Sequence, residues 1–198
     1  NAVKNNTRPS PATTPKALKN AVAVDTAIGA SSNSVLHLLA LASEMGMSEE
    51  EFSIDAFNEI SAKTPHICKL APAGADYIED LNEAGGISAV IKELEDAGLF
   101  DGTAMTVSGV TQAERVKNAR VLDERVIRPL SAPYSRTGGL AILKGNLAKE
   151  GAVVKKSAVD PAMLRHSGPA RVFDSEEAAM EAISTGKIVK GDVVVIRY

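Results

Sequence analysis

The spacing of apolar residues changes near Asp101, and this change restricts the possible fold more than any other feature of the chain. Before it, apolar positions recur at helical intervals, as in the stripe of Val35, Leu38 and Ala42. After it, short β-branched runs stand between Gly and Pro residues, at 141–143, 152–154 and 170–173. A helical half followed by a strand-rich half predicts a mixed α/β protein.

Local patterns place the helices. Apolar stripes with their end signals predict helices over 16–28, 34–46, 75–83, 87–97 and 174–185. Thr111 and Glu114 fit the two ends of a capping box and predict a short helix there. Ser48 and Glu51 fit a second box, which predicts a helix running from that point to Pro65.

Other segments are predicted as strands or loop. Alternation predicts a strand over 103–108. The apolar run 192–198 predicts a buried strand that closes a right-handed strand–helix–strand unit, and because no turn follows it we expect an internal piece of a longer protein. Residues 1–15 lack periodicity and are predicted to be loop.

Composition excludes two classes of partner. The net charge of −3, from 22 basic and 25 acidic residues, provides no broad positive face for nucleic acid. No apolar run approaches the roughly 20 residues of a membrane-spanning helix, and the N-terminus lacks the pattern of a signal peptide. The single cysteine, Cys68, suits a reducing compartment, so we expect a cytoplasmic protein.

The loop of small polar residues at 29–33 is the best candidate site. It joins two predicted helices, and Gly29 permits a tight turn while Ser31, Ser32 and Asn33 supply hydroxyl and amide groups. Such a loop at a helix N-terminus can hold a carboxylate or phosphate. The simpler interpretation is that Ser32 or Asn33 only caps the following helix. His37 lies one turn further on and could line the same site.

Other chemistry-bearing residues are assigned simpler roles. Cys68 is expected to be a small buried hydrophobe. The histidines at 37, 66 and 166 are too scattered for a local metal motif, and the run Glu49–Glu51 is explained by a helix N-terminus. The run Ser135–Gly139 could cradle an anion through its two glycines, although a turn is the simpler explanation.

Several stretches together resemble the dihydroxy-acid/phosphogluconate dehydratase family, and within it the dihydroxy-acid dehydratases. They are residues 27–37, 64–74, 79–86, 129–146 and 191–198. The resemblance covers nearly every position and implies the middle of a protein more than twice this length. It implies that residues 1–125 are the mainly helical end of an α/β domain. Residues 126–198 would then begin a swivelling β/β/α barrel domain.

The resemblance also bears on cofactors. Cluster-binding members of the family carry Gly-Cys-Ser-Thr-Asn where this chain has Gly29-Ala30-Ser31-Ser32-Asn33, and the cysteine is an iron–sulfur ligand. Ala30 cannot bind iron. The family implies a [2Fe–2S] or [4Fe–4S] cluster and Mg²⁺, whose other ligands match positions outside this chain. No catalytic residue and no metal ligand is therefore assigned within it.

The implied activity is that of a lyase that dehydrates 2,3-dihydroxy-3-methyl carboxylates to the 2-oxo acids of valine and isoleucine synthesis. We expect the chain alone to be inactive, with the rest of its own polypeptide as its partner and a homodimer as the complete enzyme. A sugar-acid dehydratase, such as the phosphogluconate enzyme, is the alternative within the family. A non-catalytic binding or assembly module is the alternative outside enzymes, and Ala30 favours it.

Overall fold

The computed structural model describes residues 3–198 and divides into two units, one ending at Ala158 and one beginning at Val159. The first unit contains helices α1 (Pro15–Ile28), α2 (Asn33–Glu44), α3 (Asp55–Ser61), α4 (Ile78–Glu83), α5 (Gly86–Asp96) and α6 (Gln112–Val116), then strands β1 (Ala141–Leu143) and β2 (Ala152–Val154). The second contains β3 (Ala170–Phe173), α7 (Glu176–Ser184) and β4 (Val193–Ile196). Helix accounts for 37% and strand for 10%, so the predicted α/β class is confirmed.

Helix α1 is the centre of the first unit. Thr14 caps it, because its hydroxyl accepts the Ala17 N–H at 3.2 Å, and Pro15 occupies the first helical position. One side of α1 packs with α5 in a core that contains Ala23, Ala27, Ile67, Leu81, Val90, Leu94 and Ile127. Another side packs with α2, α3 and β1 in a core that contains Leu18, Val22, Val35, Phe57, Leu140 and Ile142.

The C-terminal end of α1 is fixed by distant segments. Gly29 ends the helix in the left-handed conformation, with φ of 59°, and the Ala30 N–H donates to the Asp25 carbonyl at 3.0 Å. The Thr26 carbonyl accepts the Gly139 N–H at 2.8 Å, and the Ala27 carbonyl accepts the Ile67 N–H at 2.8 Å. The carbonyls that a helix end leaves free are therefore used to bind two other parts of the chain.

Strand β1 is attached to α3 by side chains. The Asn58 amide both donates to the Ile142 carbonyl and accepts the Ile142 N–H, each at 2.8 Å. The Ser61 hydroxyl donates to the Leu140 carbonyl at 2.7 Å. Strand β1 pairs with β2 in antiparallel fashion, with Ile142 opposite Val153. These contacts bring the segment after β2 to the end of α1.

The second unit is the predicted strand–helix–strand unit. Strands β3 and β4 are parallel, with Val172 opposite Val195, and α7 connects them. Ser175 caps α7, accepting the Ala178 N–H at 3.1 Å, so the helix begins two residues later than predicted. The handedness of the crossover stays a prediction.

Three predictions from the pattern are wrong. Residues 103–108 form no strand, because Met105 makes only an isolated bridge with Thr111. The predicted helix after Ser48 begins instead at Asp55, at the start of α3. Strand β4 is not buried: Val194 and Ile196 are 40% and 48% exposed, since α7 is the one helix that packs on this pair of strands within the described unit.

The start of α3 has a packing explanation. Phe52 and Phe57 are both buried and their rings meet edge to face at a centroid distance of 5.8 Å. Residues five apart on one helix point about 140° away from each other, so a continuous helix would separate them. The turn at 48–53 brings both rings into the same core.

Several other predictions are confirmed. Helices occur where the stripes predicted α1, α2 and α5, and the shorter α4 begins at Ile78. Thr111 caps α6 by accepting the Glu114 N–H at 3.2 Å. Strands β1, β2 and β3 match the three β-branched runs. The predicted leader at 1–15 forms turns and a short 3₁₀ helix at Ser10–Ala12, while Asn1 and Ala2 lie outside the described residues.

Among residues 3–198, no helix combines the length and the apolar character that crossing a membrane requires.

We predict that Gly29→Ala destabilises the chain more than Gly46→Ala. Both glycines have positive φ, 59° and 67°, which disfavours alanine by about 1–2 kcal/mol. A Cβ at Gly29 would also lie 2.5 Å from His66 Nε2, whereas a Cβ at Gly46 would have no atom within 4 Å. The overlap adds about 1–3 kcal/mol at Gly29. Equal free energies of unfolding for the two variants in urea titrations would contradict the packing described for Gly29.

Candidate functional site

The loop at 29–33 joins α1 to α2 as predicted, and it consumes the first N–H groups of α2 internally. The Ser31 hydroxyl accepts the Asn33 N–H at 3.2 Å, and the Ser31 carbonyl accepts the Ser34 N–H at 3.1 Å. The Val35 N–H donates to the Ser32 carbonyl at 3.3 Å. An anion at this loop would therefore have to be bound by groups other than these three N–H donors.

The side chains of Ser32 and Asn33 meet that requirement. Both residues are exposed, and within the described residues neither side chain forms a hydrogen bond. The simpler interpretation, a Ser32 or Asn33 side-chain cap, does not describe this loop, because Ser31 accepts the N–H instead. The roles of Gly29, Ser31, Ser32 and Asn33 toward a ligand stay predictions.

Asp25 places a carboxyl group beside the loop. It lies one turn before Gly29 on α1, and the Ser34 hydroxyl donates to it at 2.5 Å across the loop. Burial raises the pKa of Asp25, while the Ser34 hydrogen bond and the charge of Lys155 act in the opposite direction. This carboxyl group ties the start of α2 to the end of α1.

His66 lies on the inner side of Gly29. It is 4% exposed, its N–H donates to the Ser135 carbonyl at 2.9 Å, and its carbonyl accepts the Tyr134 N–H at 2.9 Å. The ring nitrogen Nε2 points at Gly29, where a Cβ would be 2.5 Å away, and it has no hydrogen-bond partner in the described structure. Burial lowers the pKa of His66, so the ring is held neutral more strongly than a free imidazole.

Ser157 approaches Gly29 in the same region. Its hydroxyl oxygen would be 3.0 Å from a Cβ at Gly29, and like His66 Nε2 it lacks a partner among the described residues. Its N–H donates to the Gly139 carbonyl at 3.0 Å. Two buried polar atoms without partners thus meet at one glycine.

The run Ser135–Gly139 is a structural turn in this unit. The Gly138 N–H donates to the Ser61 carbonyl and the Gly139 N–H to the Thr26 carbonyl, each at 2.8 Å. These N–H groups are therefore not free to cradle an anion. A Cβ at Gly139 would lie 2.6 Å from the Gly29 Cα, so the close approach of these two backbones requires glycine.

Two lysines affect the charged groups near Gly29, since Lys69 and Lys155 both lower the pKa of His66. Lys155 is partly buried, it forms no ion pair within the described residues, and its charge lowers the pKa of both Asp25 and His66. The next residue is held differently, because Lys156 Nζ donates to the Thr137 hydroxyl at 2.7 Å.

His37 lies one turn beyond Asn33 on α2, and its role toward a ligand stays a prediction. His37 is exposed on α2, Glu49–Glu51 are exposed in a turn, and His166 contacts the Gly191 carbonyl at 3.0 Å in the second unit. Cys68 is fully buried, as predicted, and burial raises the pKa of its thiol to about 12. Residues 3–198 contain no group of three His, Cys, Asp or Glu side chains arranged to hold a metal ion.

The sequence analysis did not single out Asp25, Lys155 or Ser157. Helical spacing could have indicated Asp25, because it precedes Gly29 by one turn on the same helix. Lys155 and Ser157 are more than 120 residues from the loop, and no local pattern connects them to it.

We predict that the buried His66 lowers the free energy of unfolding in weak acid, because its pKa is lower in the folded chain than in the unfolded chain. The folded pKa lies below the unfolded value of 6.5, so between the two the unfolded chain binds more protons, and stability is lost as pH decreases through this range. In His66→Gln this part of the pH dependence should disappear, as measured by urea unfolding at several pH values. His37→Gln, at an exposed histidine, is the control. An unchanged pH dependence in His66→Gln would refute the assignment.

Comparison with known proteins gives a consistent result over the whole chain. Residues 1–115 match the family described as dihydroxy-acid/6-phosphogluconate dehydratase N-terminal, and residues 125–198 match its C-terminal counterpart. A dihydroxy-acid dehydratase of Acetivibrio thermocellus is 58% identical over 196 residues, which is 99% of this chain and 35% of the relative.

Two further relatives carry the same name. Those of Caldanaerobacter subterraneus subsp. tengcongensis and Agathobacter rectalis are 57% and 59% identical, over 99% and 93% of this chain. The chain spans 35% and 33% of their lengths, so it corresponds to about a third of each. With both matched regions and this identity, the chain belongs to the dihydroxy-acid/6-phosphogluconate dehydratase family.

Proposed function

We propose that this chain is a segment of a dihydroxy-acid dehydratase, a hydro-lyase that converts 2,3-dihydroxy-3-methyl carboxylates to 2-oxo acids for valine and isoleucine synthesis. The observation that carries the proposal is the 58% identity, over 99% of the chain, to a relative of that name. The family description also includes 6-phosphogluconate dehydratase, but the similar relatives reported above are dihydroxy-acid dehydratases.

Within that enzyme, the segment would supply part of the substrate-binding wall. The side chains of Ser32 and Asn33 are free to hydrogen-bond hydroxyl or carboxylate oxygens, and the Asp25 carboxyl group lies beside the loop. The family resemblance implies that the base for the C2 proton matches a position outside this chain. The chain alone is therefore expected to be inactive, with the rest of the polypeptide supplying the reacting groups.

The donors of this segment do not fit the iron–sulfur cluster or the Mg²⁺ that the family resemblance implies. Ala30 presents a methyl group at the family's cysteine position, and the thiol of Cys68 is buried in the core. Clusters are held by several thiolates and Mg²⁺ by carboxylates. We assign the ligands of both cofactors to residues outside this chain and assign no step to them here.

We further infer the organisation of the complete enzyme. Residues 1–125 would end its N-terminal α/β domain and residues 126–198 would begin its swivelling domain, in keeping with the separate matches at 1–115 and 125–198. A homodimer in the cytoplasm is the proposed state. The one cysteine of the chain is free and buried, which suits a reducing compartment.

The first test of this function is substrate choice. The complete enzyme that carries this segment should dehydrate 2,3-dihydroxy-3-methylbutanoate, measured as 2-oxo acid formation, and should act at least about 100-fold more slowly on 6-phosphogluconate, because a site built for one substrate's polar groups rejects the other. Preference for 6-phosphogluconate would replace the proposal with the sugar-acid alternative. Activity on neither compound would favour a binding module.

The second test concerns Ala30. Iron and acid-labile sulfide should be measured in the anaerobically purified complete enzyme with Ala30, Ala30→Cys and Ala30→Ser. Because only cysteine supplies a thiolate, Ala30→Cys is expected to hold more iron and sulfide than the other two. Equal contents in all three would show that position 30 is not a ligand position, and activity in the Ala30 form would mean that the ligand comes from elsewhere.

A further inference from the structure

Three polar side chains meet between the turn at Ser135–Gly139 and the segment that follows β2. Lys156 Nζ donates to the Thr137 hydroxyl at 2.7 Å, and the Thr137 hydroxyl lies 3.3 Å from the Ser135 hydroxyl. The Thr137 N–H also donates to Ser135 Oγ at 3.2 Å. All three residues are partly buried. We call Ser135, Thr137 and Lys156 the Thr137 cluster.

Backbone hydrogen bonds hold the two parts of the Thr137 cluster together. The Ser157 N–H, directly after Lys156, donates to the Gly139 carbonyl at 3.0 Å. The Gly139 N–H in turn donates to the Thr26 carbonyl on α1 at 2.8 Å. The turn and the segment after β2 are therefore attached to each other and to the end of one helix. Such support from the backbone keeps a binding site in its geometry before a ligand arrives.

The Thr137 cluster has more hydrogen-bond donors than acceptors. An ammonium group has three N–H donors and no acceptor, and each hydroxyl has one O–H donor. Lys156 uses one of its three donors on Thr137, and only one of the two hydroxyls can donate to the other. Within residues 3–198, two N–H donors and one O–H donor of the cluster have no protein acceptor.

The charge of the Thr137 cluster is not balanced by an ion pair. Lys156 forms none with any residue that the structure describes, and the same is true of its sequence neighbour Lys155 and of Arg136 in the turn. Residues 135–139 and 154–157 contain these three cations and no acidic residue. Water screens a partly buried charge less than an exposed one, so the ammonium of Lys156 attracts an anion more strongly.

We propose that Ser135, Thr137 and Lys156 form a binding site for an oxyanion, that is, a carboxylate or phosphate group. The free N–H donors of Lys156 form charge-assisted hydrogen bonds to it, and a hydroxyl of the cluster donates to a neighbouring oxygen. This site uses side chains of the turn, whereas the N–H groups of Gly138 and Gly139 are occupied by protein carbonyls. The inference does not depend on the reaction that the complete enzyme performs.

The test is a calorimetric titration of the complete enzyme with two anions, inorganic phosphate and 2-hydroxy-3-methylbutanoate. Lys156→Met should raise the Kd of the anion that occupies the site about 10–100-fold, because a charge-assisted hydrogen bond is lost. Thr137→Val keeps the shape of the side chain without its hydroxyl and should raise the same Kd about 3–10-fold. A response of the phosphate Kd identifies a phosphate site, and a response of the hydroxy-acid Kd identifies a carboxylate site.

Lys149→Met is the charge-matched control, because Lys149 is exposed in the same unit and forms no ion pair in the described part of the chain. It should bind both anions within about threefold of the parent. The inference is overturned if folded Lys156→Met binds both anions as tightly as the parent, or if Lys149→Met weakens binding equally. Because binding requires no turnover, the inference and the proposed function fail separately.

Discussion

The close approach of three segments to Gly29 is the constraint on which the first unit depends. His66, Gly139 and Ser157 all reach the end of α1 there, and a Cβ at Gly29 would overlap the His66 ring. The carbonyls of Thr26 and Ala27 at that helix end accept N–H groups from the segments around Gly139 and His66. Because Gly29 has no side chain, these segments can approach the helix end this closely. The conformation of the loop that follows is determined by the same contacts.

This packing also explains what the loop can offer a ligand. The N–H groups of Asn33, Ser34 and Val35 are used to begin α2, so they are not available to a ligand. An anion site based on the helix N-terminus alone would require those N–H groups to be free. The structure instead leaves the exposed Ser32 and Asn33 side chains free beside the Asp25 carboxyl group.

Local sequence determined most of the helices and little of the site. Gly29 and Thr111 mark helix ends through glycine and capping chemistry that acts within a few residues, so these ends could be predicted. The strand expected at 103–108 failed because alternation does not supply a partner strand, and Met105 remains 46% exposed. The meeting of His66 and Ser157 at Gly29 joins residues 37 and 128 positions away, which no periodicity encodes. The small polar residues at 29–33 identified the loop, but the identity of its neighbours required the fold.

The measurement that tests the account most directly is a crystal structure of the complete enzyme with 2-hydroxy-3-methylbutanoate bound. We expect a ligand oxygen within about 3.2 Å of the Ser32 or Asn33 side chain, with Gly29 still packed on His66. A ligand bound elsewhere, with the Gly29–Asn33 loop contacting only protein, would contradict the assignment of this loop to the substrate site.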